Sequence, residues 1–325
     1  MRFMRSHSVF AAATVAWAAG SVACSSSPTG PPPPTFTHPA GNVDSIFPLG
    51  SRPYGVSVSG SGGVLVSRLD NLTAMHATIG DFRLTAGANV GNVPTDVAFA
   101  PGGAHAFVAN QADFTVGKID VASLTQTATL PVGTNAFRVK VNAAGTKLYA
   151  TTNGDSMFVI DPSSFTVLKK VGVGASSNGL AFDSSGAKLY VSSQNGLVKV
   201  VQTSNDSVIA TIAAGPHPQD VAISPDGTEM WVADETLGVQ VYSLPAGSLL
   251  TTLPSTTGAF GLAISPDGQQ VWVSMPSTGQ FQIFTRASRA FVKGFTAGTP
   301  RRVAFDSTGA HAVVTDEQAG AVLFN

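Results

Sequence analysis

From about residue 42 onward the chain is built of short runs in which apolar and polar residues alternate, each run ending at Gly, Pro, Asp or Asn. A period of two is the mark of a strand with one buried face. One stretch shows the grammar: Val221-Ala222-Ile223 runs into Ser224-Pro225-Asp226-Gly227, and Met230-Trp231-Val232 follows at once. Proline presets φ and glycine accepts a positive φ, so the two runs fold back on each other. A third run, clearest in Met157-Phe158-Val159-Ile160-Asp161, and a fourth, as in Val208-Ile209-Ala210-Thr211-Ile212, complete a unit of four strands.

The turn glycine recurs as Gly62, Gly103, Gly145, Gly186, Gly227, Gly268 and Gly309, at intervals of 41, 42, 41, 41, 41 and 41 residues. A period near 40 with several strands per unit predicts an all-β seven-bladed β-propeller with four-stranded antiparallel blades. The chain ends define how the ring closes. After Gly309 there is room for two strands only, within 310–315 and 320–325, whereas Val43-Asp44-Ser45-Ile46-Phe47-Pro48-Leu49-Gly50 reads as a fourth strand with no unit before it. The N-terminal strand is therefore expected to complete the last blade, satisfying edges that would otherwise stay open. The first unit carries Gly60-Ser61-Gly62-Gly63 in place of the proline turn, so its blade is the least regular.

These repeats resemble the YVTN-type β-propeller family on Ser224-Pro225-Asp226-Gly227, Ser265-Pro266-Asp267-Gly268, Leu189-Tyr190-Val191-Ser192, Phe107-Val108-Ala109-Asn110 and Val159-Ile160-Asp161. The resemblance covers residues 41–325 and implies an exported bacterial propeller of the surface-antigen or lactonase-like kind. Its motifs build blades, so it implies little about chemistry.

Residues 1–23 read as a signal peptide: Arg2 and Arg5 precede the apolar stretch 9–19, which is too short to span a bilayer. Cys24, the only cysteine, stands where a bacterial lipoprotein signal places its lipidated residue, with Ser21 departing from the usual aliphatic. The alternative is an ordinary secretory signal with Cys24 incidental. Ser25 fits, by resemblance, sorting to the outer membrane, so the expectation is an outer-membrane or periplasm-facing lipoprotein, exposed at the cell surface in one version. Residues 24–41, with four successive prolines, read as an extended linker or as a leader without a spacing role. With 18 basic against 19 acidic residues no electrostatic footprint points to nucleic acid. A monomer is expected.

Candidate chemistry sits at one repeat position. The inner strands begin Pro53-Tyr54-Gly55, Pro94-Thr95-Asp96, Ala136-Phe137-Arg138, Ser177-Asn178-Gly179, Pro218-Gln219-Asp220, Ala259-Phe260-Gly261 and Pro300-Arg301-Arg302. The third residues read Gly, Asp, Arg, Gly, Asp, Gly, Arg around the ring. Two readings stand. Tyr54, Asp96, Arg138, Asp220, Arg301 and Arg302 hold a small polar or anionic ligand at the channel mouth, or the charges pair with one another in a hydrated rim. Loops bearing Asn110, Asp113, Asn153, Asp155, Asn195, Asp234, Glu235, Asp316 and Glu317 are oxygen-rich enough to suggest Ca²⁺, but Asp and Asn are also ordinary turn residues. No metal or cofactor is assigned.

His217 is the one histidine in a loop at the channel end, three residues before Asp220. No nucleophile elbow, zinc motif or phosphate loop is present. Tyr149, Tyr190, Trp231, Trp272 and Phe107 share one repeat position, which interblade packing explains. The leading reading is a non-catalytic binding scaffold in the cell envelope for a protein or a small polar ligand. The rival is a lactonase-type hydrolase in which His217 and Asp220 supply the base and Arg138 or Arg302 holds the anion.

Overall fold

The computed structural model describes residues 36–50, 52–70, 73–82 and 86–325. The signal peptide, Cys24 and most of the linker lie outside the described residues. Seven four-stranded antiparallel sheets stand around a ring, spanning 53–89, 94–131, 136–172, 177–213, 218–252, 261–296 and, for the seventh, 300–324 together with Val43–Phe47. We number them blades 1 to 7. In blades 1 to 6 the strands follow one another outward in chain order, blade 7 takes its outermost strand from Val43–Phe47, and the innermost strands of neighbouring blades contact one another around the central channel.

Local chemistry produces this order. In blade 5 the Gly227 N–H donates to Ser224 O at 2.8 Å, Gly227 takes φ 70°, and the Ser224 hydroxyl accepts the Glu229 N–H at 3.0 Å. Blade 1, which lacks the proline, makes a turn one residue shorter on Ser59, whose hydroxyl accepts the Gly63 N–H at 2.8 Å. Its sheet is four-stranded like the others.

The seventh sheet runs Val43–Phe47, Gly320–Phe324, Ala312–Asp316, Pro300–Phe305 from outside in. Val43 pairs with Phe324 and Phe47 with Ala321. Docking starts earlier in the chain: Thr37 donates to Thr308 O at 2.9 Å, His38 Nδ1 meets Asp267 Oδ2 at 2.5 Å, and Asn42 and Asn325 exchange backbone hydrogen bonds. The described end of the expected linker thus lies against blades 6 and 7.

The core sits between sheets. Phe107, Tyr149, Tyr190, Trp231 and Trp272 are all buried. Trp272 meets Phe281, Phe305 and Phe324 edge-on at centroid distances of 5.5, 5.3 and 5.3 Å. A sheet buries such faces only against its neighbour, so the ring is stable only when closed.

Candidate functional site

Six of the seven inner strands carry a register shift at their first residues, as between Pro94 and Asp96 or Ala136 and Arg138. A bulge sets two residues against one and re-aims side chains. Here it leaves the N–H of the third triplet residue without its ladder partner, and the second strand supplies a substitute. Gly55, Arg138, Gly179 and Arg302 donate to the hydroxyls of Ser67, Thr151, Ser192 and Thr315 at 2.9–3.1 Å, and Gly261, in the one strand without a shift, donates to Ser274 in the same way at 2.9 Å. In blades 2 and 5, where the triplet ends in Asp96 and Asp220, the paired residue is Ala109 or Ala233. There the carboxylates bond to backbone instead: Asp220 Oδ1 accepts Val221 N–H at 3.0 Å and Asp96 Oδ2 accepts Val139 N–H of the next blade at 3.0 Å.

The glycines at this position do not leave space for a ligand. A Cβ on Gly179 would stand 2.7 Å from the Asp220 Cα, and one on Gly261 2.1 Å from Arg301 O, so the next blade's backbone occupies the room.

The charged residues are drawn into one network inside the channel. Arg302 Nη1 donates to Asp220 Oδ2 at 2.8 Å, Arg138 Nη1 reaches the same oxygen at 3.4 Å, and Arg138 Nε donates to Asp96 Oδ2 at 3.0 Å. Asp220 of blade 5 is thereby a strut linking blades 3 and 7 across the bore. Arg302 is 3% exposed, and its Nε and Nη2 are buried with no partner among the described residues. Burial, joined by the nearby Arg138, lowers its pKa. Burial also works against the charge of Arg138, but Asp96 and Asp220 outweigh it and hold the guanidinium above its ordinary value.

The channel mouth beside these residues is closed by aromatic rings. Tyr54, Phe137 and Phe260, from blades 1, 3 and 6, meet across the axis with Tyr54 edge-on to both partners at 6.3 and 5.8 Å. Leu69 and Val93 pack behind them. Arg301 lies 5.1 Å over Tyr54 and 4.9 Å over Phe260 and is fastened by an ion pair to Glu317, which also holds Arg52. Tyr54 and Arg301 are therefore parts of a cap, separated from the bore by the charged layer.

Space opens on the other side of that layer, toward the Ser-Pro-Asp-Gly turns. Two adjoining chambers of ≈ 260 and ≈ 350 Å³ share Asp96, Arg138 and Lys140 as wall. Two residues along each inner strand from the charged layer, the wall is Ser57, Ala98, Lys140, Ala181, Ala222, Ala263 and Ala304. Beyond it the half-buried Phe99, Phe182 and Phe305 lead outward. Lys140 forms no hydrogen bond or ion pair with any described residue. Burial, with Arg138 beside it, lowers its ammonium's pKa. Arg138 commits Nε and Nη1, which leaves Nη2 without a protein partner among the described residues. Three cations thus face two carboxylates, an excess of one positive charge along the bore.

Reading only the triplets missed Lys140. The signal was present, because strand alternation puts residue 140 on the same face as residue 138, and at that repeat position the other six residues are alanine or serine.

His217 is exposed on the capped face, its Nδ1 2.8 Å from Thr236 Oγ1, and no hydrogen bond or ion pair joins it to Asp220. Arg138 and Arg302 converge on Asp220; His217 does not join them. The acidic loop residues clasp backbone: Asp234 accepts from His217, Thr236 and Leu237 N–H groups at 2.7–2.9 Å, and Asp316 from Gly298, Gln318 and Ala319 at 2.8–2.9 Å. Among the described residues no group of three metal-ligating side chains gathers.

No family model matches this sequence, and no curated protein does. Among solved structures it is similar to Kuenenia stuttgartiensis hydrazine synthase, with a TM-score of 0.77 over 84% of this chain and 95% of that one, at 16% identity. The likeness is one of fold, a scaffold that hosts many unrelated functions.

Proposed function

We propose that the protein is a binding scaffold that takes a small carboxylate or similar anion into the turn-side half of its channel. The observation that carries this reading is Lys140, a cation without a hydrogen bond or ion pair among the described residues, set beside Arg138 Nη2, with alanine and serine at its own level of the channel and larger apolar residues such as Val56, Leu180, Leu262 and Val303 completing the wall. Desolvated cations in a concave site bind anions more strongly than the same groups in water, because the local dielectric is low. Asp96 and Asp220, each bound by guanidinium and backbone N–H groups, offset two of the three positive charges and leave a net charge of one to attract an anion.

The membership in the YVTN-type repeat family, the signal peptide, lipid attachment at Cys24 and residence in the outer membrane or facing the periplasm belong to the same proposal. They rest on the sequence motifs. A Cys24→Ala variant that stays with the membrane fraction, or processing indifferent to a lipoprotein signal-peptidase inhibitor, would remove the anchor.

The ligand reading is tested by thermal unfolding against a panel of small carboxylates, phosphate, neutral sugars and amines. Saturable upward shifts for anions only, lost in Lys140→Met, are the expected result. Equal responses to anions and neutral sugars would refute it.

A further inference from the structure

The chamber contains a nucleophile as well as a positive charge. Lys140 Nζ has no hydrogen bond or ion pair among the described residues, has five alanines and a serine at the matching position of the other six blades, and shares both chambers with Arg138. An amine of this kind does more than attract an anion. Removed from bulk water and placed beside a second cation, a lysine spends more of its time unprotonated and becomes a competent nucleophile toward carbonyl carbon. The direction of its pKa, lowered by burial and then by Arg138, agrees with that setting.

Geometry adds a second requirement. Residues 138 and 140 lie on one face of one strand, two residues or roughly 6.6 Å of strand rise apart. A carboxylate held at Arg138 Nη2 thus has its neighbouring carbons directed along the bore toward the Lys140 layer. The small wall residues leave the amine room to approach from the side.

We infer that Lys140 forms an imine with small 2-oxo acids, Arg138 holding the carboxylate while the Lys140 amine takes the adjacent carbonyl carbon. This rests on the anion-binding reading above. The unprotonated amine donates its electron pair to the carbonyl carbon, the C=O π pair moves to oxygen, and a carbinolamine results. Both amine hydrogens then leave with that oxygen as one water, and a C=N bond replaces C=O. No oxidant, reductant or further reactant enters, and hydrolysis reverses the step. The chamber would thus hold a 2-oxo acid covalently and reversibly, and release it when the ligand is depleted.

The test uses the full chain with pyruvate as probe and lactate as the matched carboxylate that lacks a carbonyl. Cyanoborohydride is added to trap any imine, and the peptides are mapped by mass. The expected result is a reduced adduct on the peptide carrying Lys140, formed about tenfold faster than on Lys188 or Lys199 and slowed by lactate. Lys140→Arg should bind lactate within a few-fold of the parent and give no channel adduct. Lys140→Met, checked by its cooperative unfolding, should lose both. Lactate and pyruvate binding equally well with no Lys140 adduct, or with labelling spread evenly over surface lysines, would overturn the imine and leave anion binding standing. Neither compound binding, and none trapped, would overturn both.

Discussion

The two ends of the channel are built by the same seven strands and yet are opposites. On the loop side Tyr54, Phe137 and Phe260 close the axis, and Arg301 is pinned over them by Glu317. On the turn side the layer next to the charges is alanine and serine except for Lys140, which has no hydrogen bond or ion pair among the described residues. Between them Asp220 ties Arg138 to Arg302. The contrast shows that repetition makes the ring, while departures from it at a few inward positions decide which side is sealed and what charge the open side presents.

The largest way to break this arrangement is to remove the strut. Asp220→Ala leaves Arg138 without one of its two carboxylate partners and the buried Arg302 with none, and should cost about 3–5 kcal/mol in denaturant unfolding. Replacement of Asp220 with Asn should cost less, because the amide oxygen still accepts one guanidinium hydrogen bond. Equal, small losses in both would mean the strut contributes little.

Opening the sealed end comes next. Phe260→Ala removes a buried ring that also stacks under Arg301 and Arg302, and should cost about 3 kcal/mol. It should also admit water from the loop side, read as faster exchange of the backbone amides at Gly261 and Arg302. Arg301→Ala, which removes only the clamp, should cost about 1 kcal/mol.

The smallest effect is in pH. Burial raises the Tyr54 phenol above its ordinary value of 10.0, against the pull of Arg302 and Arg301. Above pH 10 the unfolded chain therefore loses that proton while the folded chain keeps it, and stability falls as pH rises. Phenolate absorbance should show Tyr54 ionising late in the parent and earlier in Phe260→Ala. At the open end the sign differs in its consequence: with the Lys140 ammonium lowered, anion affinity should decline with rising pH before an ordinary lysine would titrate.

How much of this was written in the sequence divides along the same line. The seven turn glycines and their spacing gave the blade number because each turn is a local event, set by four residues. The second strand's hydroxyl was legible in principle too: Ser or Thr stands opposite Gly and Arg, Ala opposite Asp, 13 residues on in six units and 12 in the first. The seal was not legible, since Tyr54, Phe137 and Phe260 belong to blades that are not all neighbours, and only closure of the ring brings their side chains together. For the same reason proximity in sequence misled for His217 and Asp220. The bulge turns Asp220 into the bore while His217, three residues earlier, stays with its loop.

The central claim is that the turn-side chamber is open and positive. In a chain with Cys24 replaced by serine, Ala222→Cys places a single thiol in that chamber, opposite Lys140. The account predicts faster modification by a sulfonate-bearing thiosulfonate than by its trimethylammonium counterpart, with lactate slowing the first. Faster reaction with the cationic reagent, or no reaction with either in the folded protein, would contradict it.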